Sequence, residues 1–258
     1  VWAAIFIVVP LFIVVYYAFT DRSGAFSLSN ITALADYKDT FIISVWYSVI
    51  ATVITLVIAY PFAYALSRFG ANTQRMMMLL VMLPMWMNLL IRTYSWMNIL
   101  ERNGIINNVL AGFGIEPLKM IGTPGAVILG MVYNYLPYMI LPIYTVMSKL
   151  DITLLEAADD LGANAFQRLR TLVIPLSMPG VISGITMVFV PSVSTFYISQ
   201  KLGGGKIMLI GDAIERQIQQ QYNYNLGASI SLVLMVMILI SMAIMNRFAS
   251  DDAERLVV

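Results

Sequence analysis

The residues best placed to do chemistry lie in one polar stretch, Lys149 to Thr171, followed by Leu172-Val173-Ile174-Pro175. Thr153 followed three residues later by Glu156 has the spacing of a capping box, which predicts a short helix that stops at Gly162. At 100° per residue, Leu154, Ala157, Ala158 and Leu161 fall on one side of that helix and Glu156, Asp159 and Asp160 on the other. With Arg168 and Arg170 behind it, the pattern is that of a compact docking knob rather than a catalytic centre.

The rest of the composition removes most catalytic chemistry. Zero Cys excludes disulfides, thiolate nucleophiles and Cys-ligated zinc or iron–sulfur sites. Zero His removes imidazole ligands and every Ser–His or Cys–His pair, so no catalytic residue and no metal site is assigned. Gly203-Gly204-Gly205-Lys206 looks like part of a phosphate-binding loop, but Ile207 stands where Ser or Thr is required and Gln200 where the first Gly belongs. The 18 Met residues read as flexible apolar filler rather than a metal relay. Fifteen basic and 14 acidic side chains nearly cancel, so no nucleic-acid partner is expected.

The elements that must carry these residues are membrane helices. The chain is 60% hydrophobic and 11% charged, against about 25% charged in an ordinary soluble domain. Residues 40–67, 120–148, 171–200 and 217–246 are uncharged runs of 28 to 30 residues, and 1–20 is another. About 20 apolar residues span a bilayer, so each run holds one helix. The run 76–91 is too short alone and becomes long enough by continuing past Arg92 through Tyr94, Trp96, Met97, Ile99 and Leu100, with Arg92 snorkelling near an interface. The sequence thus predicts an all-α membrane protein of six spans near 1–19, 42–67, 76–98, 124–148, 179–200 and 226–247, in a single domain over 1–258.

The first run lacks the basic region and the small-residue cleavage site of a signal peptide, and the missing initiator Met points to a start inside a longer protein. Continuously apolar segments such as Ala51 to Ala59 do not alternate as β-barrel strands do. Prolines 61, 84, 137, 142 and 191 fall inside expected spans, where neighbouring helices can satisfy the freed carbonyls. Counting Lys and Arg gives seven on the N-terminal side and eight on the other, so charge alone does not orient the bundle. The acid-free connection with Arg68 and Arg75 weakly favours both termini in the cytoplasm.

Glu156-Ala157-Ala158, three residues, Gly162, nine residues, then Leu172-Val173-Ile174-Pro175 resembles the EAA loop of bacterial binding-protein-dependent ABC importer permeases. The family pattern is E-A-A-x3-G-x9-I-x-L-P, here with Leu172 for Ile and Ile174 for Leu. The resemblance extends over nearly the whole chain. The stretches Leu83 to Tyr94, Tyr135 to Tyr144, Ile174 to Gly180 and Phe196 to Gly204 look like the spermidine/putrescine permeases, specifically the PotB-type subunit. One departure is Gln200, which stands where such relatives often carry a carboxylate.

The resemblance implies a MetI-like six-helix permease of the bacterial inner membrane with both termini cytoplasmic. It further implies a coupling loop at 149–175 in which Glu156, Ala157, Ala158 and Gly162 engage the ATPase. ATP and Mg would bind partner subunits, with no cofactor in this chain. The implied partners are a second, PotC-type permease, two PotA-type ATP-binding subunits and an external PotD-type solute-binding protein. A polyamine carries ammonium groups on an apolar chain, so its path needs aromatic faces, amide oxygens and carboxylates. Trp86, Asn88 and Tyr94 in the third span, Tyr133, Tyr135 and Tyr138 in the fourth, and Asp212 and Glu215 before the sixth are the candidates. An ABC permease for another small solute is the alternative; a secondary transporter or channel fits less well, since no acid falls in the five clean apolar runs.

Overall fold

The computed structural model describes residue 2 and residues 4–255; Val1 and Ala3, at the start of the first expected span, lie outside the described residues. Helix α1 (Val9–Ala18) follows a π-helical turn at Ala4–Val8, and α2 (Ser29–Thr32) with a 3-10 turn leads into α3 (Lys38–Ser67). Next come α4 (Ala71–Trp86), α5 (Leu89–Leu100), α6 (Ile105–Gly112), α7 (Pro124–Met147), α8 (Ile152–Asp160) and α9 (Ala165–Arg168). A π-helical turn, Leu169–Val173, joins α9 to α10 (Ile174–Ser194), which is followed by α11 (Tyr197–Leu202), α12 (Ile210–Glu215) and α13 (Tyr224–Arg255).

Among the described residues, four continuous helical stretches are long and apolar enough to cross a membrane: Ser29–Ser67, Pro124–Met147, Ala165–Ser194 and Tyr224–Met245. They correspond to the second, fourth, fifth and sixth expected spans. The first is represented by a shorter apolar helix, Ile5–Ala18. The third departs from expectation: it is not one helix over 76–98 but two pieces, bent by 91° between α4 and α5. Pro84 lacks an N–H, Met87 turns extended at ψ 144°, and the Asn88 side chain caps the new helix by accepting from the Leu90 N–H at 2.7 Å. The fifth span also differs from 179–200. Its helix starts upstream of Pro179 and ends at Ser194, so residues 197–202 form the separate α11.

The patterning of α3 shows why this bundle suits lipid. Ser44, Ser48, Ala51, Thr52, Thr55, Ala59 and Ala63 are buried, while Trp46, Val53 and Val57 face outward. In lipid the large apolar residues belong outside and small residues let backbones approach. The buried hydroxyls satisfy themselves within the helix: Ser48 donates to the Ser44 carbonyl, Thr52 to Ser48 and Thr55 to Ala51. On α10, a Cβ at Gly180 would fall 2.8 Å from the Pro142 carbonyl oxygen and one at Gly184 would fall 2.7 Å from the Met139 sulfur. These two glycines allow α10 to lie against the Pro-containing middle of α7.

Side-chain contacts define two ends of the bundle. The Tyr144 hydroxyl donates to Gln74 Oε1 at 2.8 Å, and Gln74 Nε2 donates to the carbonyls of Ser67 and Phe69, so the 68–75 connection sits at the α8 end. At the opposite end, Ser44 Oγ accepts from the Ile210 N–H and the Asn225 side chain donates to the Thr20 carbonyl. Ser229 Oγ donates to the Ala18 carbonyl, which places the end of α1 beside the start of α13.

Candidate functional site

At the first end of the bundle, α8 is capped by Asp151, whose carboxylate accepts from the Thr153 N–H at 3.0 Å, and not by Thr153 as its spacing to Glu156 predicts. Asp151 wins because an ionised oxygen on the residue just before the helix accepts more strongly than a hydroxyl already inside it. The reciprocal capping box lies one helix later, between Asn164 and Gln167. Gly162 ends α8 at φ +79°, where a residue with a Cβ is strained.

The apolar residues of α8 cover more than one face. Leu155 is buried in a cluster that includes Met147 and Val173, and Ala158, one turn on, is buried as well. Leu154, Ala157 and Leu161 stay exposed, Leu161 at 88%. The inner edge therefore fixes the helix to its own bundle and leaves an outer edge open. Ala158 belongs to the fixing edge, whereas Glu156 and Ala157 are exposed. Arg168 donates to Asp159 Oδ1 at 2.8 Å and ties α9 to α8. Beneath α8 lies a polar cavity of about 420 Å³ lined by Tyr64, Arg68, Gln74, Glu156, Asp159 and Arg168.

At the other end, the structure brings together some of the sequence-predicted route residues and separates others. Trp86 and Asn88 sit at the break of the third span and are exposed, with Asn88 also serving as the α5 cap. Tyr133 and Tyr135, two residues apart on α7, point to different sides. Tyr133 stacks edge-on with Trp96 and lines an apolar cavity of about 240 Å³. Tyr135 lies beside Tyr138, and its hydroxyl donates to the Pro191 carbonyl at 3.2 Å. A helix turns 100° per residue, so residues two apart cannot share one wall.

Arg92 corrects the snorkelling expectation: it is 9% exposed, with Nε and Nη1 buried and unpartnered. The 91° bend redirects α5 so that one face of it, with Arg92, Thr93 and Leu100, is buried in the bundle.

Asp212 is buried at 6% exposure and is not a solvated loop acid. Its Oδ2 accepts from the Leu209 N–H at 2.8 Å, closing the first turn of α12, while Oδ1 is buried without a partner. Burial pushes its pKa up to about 6, helped by the nearby Glu215 charge and opposed by hydrogen bonds that include the one from Leu209. Glu215 accepts from Gln200 Nε2 at 3.0 Å and from Gln220 Nε2 at 3.3 Å. Gln200, Asp212, Glu215 and Arg216 line one cavity of about 150 Å³.

Sequence reading missed Tyr197 and Lys201, both on α11. The Lys201 ammonium lies 5.2 Å from the Tyr94 ring centre and 5.7 Å from that of Tyr197. The available signal was the Tyr197-x3-Lys201 spacing, which puts both on one helical face, but α11 begins inside the uncharged run 171–200, where it reads as the end of a span.

The profile of the binding-protein-dependent transport system inner membrane component family matches residues 60–250. The spermidine/putrescine transport system permease protein PotB of Haemophilus influenzae is 37% identical over 228 residues, 84% of this chain and 79% of that protein. The PotB protein of Escherichia coli is 35% identical over 226 residues, 84% of this chain and 82% of that protein. Among solved structures, a bacterial ABC transporter involved in import of the acidic polysaccharide alginate has a chain that superposes with a TM-score of 0.78 over 97% of this chain and 91% of that one. At 15% identity this shares the fold alone. Its complex with an alginate-pentasaccharide-bound periplasmic protein gives 0.77 over 96% and 90%. With its apolar helices, its EAA-patterned α8 and a profile match across most of its length, the chain belongs to the family of binding-protein-dependent transport system inner membrane components.

Proposed function

We propose that this chain is the membrane-spanning subunit of an ATP-driven importer that takes up polyamines of the spermidine/putrescine class. The observation that carries the reading is the 35–37% identity, over 84% of the chain, to permeases named for spermidine/putrescine transport. The geometry supports it from both ends. An α8 held by Leu155 and Ala158, with Leu154, Ala157 and Leu161 turned outward beside Glu156, is shaped to enter a cleft on an ATP-binding subunit. At the opposite end, Tyr94, Tyr135, Tyr138, Asp212 and Glu215 supply aromatic faces and carboxylates suited to ammonium groups.

In this reading α8 and the 68–75 connection face the cytoplasm, as do both termini. ATP and Mg are bound and ATP hydrolysed by two separate subunits, and this chain carries no cofactor and no catalytic residue. One chain offers one coupling helix, so a second, PotC-type permease completes the path, and a PotD-type external protein delivers solute. The test is uptake by the reconstituted complex in competition with putrescine, spermidine and unrelated solutes, together with ATPase stimulation by the solute-binding protein. Competition only by non-amines would overturn the substrate class; uptake without ATPase stimulation would overturn the coupling role.

A further inference from the structure

The ammonium of Lys201 sits against the faces of Tyr94 and Tyr197, whose ring centres are 6.3 Å apart with planes inclined by 77°. Two rings set nearly at right angles form a corner, and the electron-rich faces of such a corner attract a cation. No carboxylate lies within ion-pair distance of Lys201 among the described residues, so the aromatic corner is the observed partner of this charge. The corner joins two elements that otherwise serve the route. Tyr94 is on α5, just past the break at Asn88; α11 carries Tyr197, Lys201 and also Gln200, which holds Glu215.

The chemistry of the occupant is informative. A lysine side chain is a four-carbon chain ending in an ammonium, the same unit that ends putrescine and one arm of spermidine. The corner thus already accommodates the group that a polyamine would present. The end of α11 is fixed by Leu202, which is fully buried and whose carbonyl accepts from the Gly122 N–H at 2.8 Å, so leaving the corner needs only a rotation of the Lys201 side chain.

We propose that Tyr94 and Tyr197 form an ammonium subsite of the translocation route, and that Lys201 is its tethered placeholder, displaced by the terminal aminobutyl group of the substrate. The placeholder keeps the subsite filled when no substrate is present and raises the concentration of substrate needed to enter it. This rests on the polyamine reading above.

The test is the KM for putrescine uptake by the full reconstituted complex. Lys201→Met keeps the chain length and removes the charge, and should lower KM by about two- to five-fold, the range expected for one exposed cation–π contact. Lys201→Arg keeps the charge and should restore the parent KM. Tyr94→Phe keeps the face and should leave KM near the parent value, whereas Tyr94→Leu should raise it by about the same two- to five-fold. In Lys201→Met combined with Tyr94→Leu the lowered KM should disappear. Parent complex that transports putrescine while Lys201→Met leaves KM unchanged, or merely lowers the amount of folded protein, overturns the placeholder and leaves the polyamine reading standing. Parent complex that transports neither putrescine nor spermidine overturns both.

Discussion

Gln200 Nε2 donates to Glu215 Oε2 at 3.0 Å, tying α11 to α12 beside the buried Asp212. The amide thus stands as a neutral donor between two acids at a position where a carboxylate would add a third negative charge to one small cavity. The negative charge of this corner comes instead from α12, and its protonation is set by burial.

Asp212 gives this corner a pH dependence. Its folded pKa, raised to about 6, means that the folded protein holds a proton that the unfolded chain loses near 4. Stability from this group is therefore present below about pH 4 and is lost as pH rises to about 6. Asp212→Asn keeps an oxygen to accept from Leu209 and should flatten that loss, gaining about 1–2 kcal/mol at pH 7. Thermal unfolding in detergent between pH 4 and 7 checks it.

The same titration should appear in transport. Near pH 7 Asp212 is mostly ionised and can attract an ammonium; near pH 5.5 it is mostly protonated. Putrescine uptake should fall several-fold more steeply between these values in the parent than in Asp212→Asn, which should start lower. Parallel pH profiles for the two proteins would remove Asp212 from the route.

At the other end, Gly162→Val forces a branched residue to φ +79° and should distort the end of α8 at a cost of about 1–2 kcal/mol locally. Glu156→Lys inverts an exposed charge beside the open apolar edge. Both proteins should insert in the membrane, yet retain less ATP-binding subunit on purification and lose most uptake. Full co-purification with normal uptake in both would show that α8 is not the coupling element.

Orientation is tested with single cysteines in a chain that has none. Leu161, 88% exposed, should label from the cytoplasmic side, and Phe113, 80% exposed, from the outside. Asn107 would be a poor choice, because its buried side chain donates to the Glu101 and Leu118 carbonyls and accepts from the Leu118 N–H.

Gly184→Leu should destabilise the bundle. Its first side-chain atom alone would lie 2.7 Å from the Met139 sulfur and 3.2 Å from the Met139 carbonyl oxygen, so α10 must separate from α7. Overpacking of this kind costs about 1–3 kcal/mol, readable as a lowered Tm in detergent.

The sequence by itself determined the features that depend on local composition. Long uncharged runs must become helices in lipid because no other arrangement of one segment satisfies its backbone, and the runs around α3, α7, α10 and α13 did so. The spacing from Glu156 through Gly162 to Pro175 likewise marked α8 and its stop, since a left-handed glycine is a local requirement. Only the tertiary structure decided where polar side chains went. Pro84 permits a break, but the 91° bend also needs Asn88 as a cap and a bundle to receive α5, and that bend carries Arg92 inward. Asp212 is one acid among several in a polar loop until α12 folds it under Leu209. Tyr94 and Lys201, 107 positions apart by subtraction, meet only because α11 separates from α10 after Ser194 and packs against α5. Contacts between distant segments depend on how the helices pack, and hydropathy along the chain records the lipid rather than the neighbour.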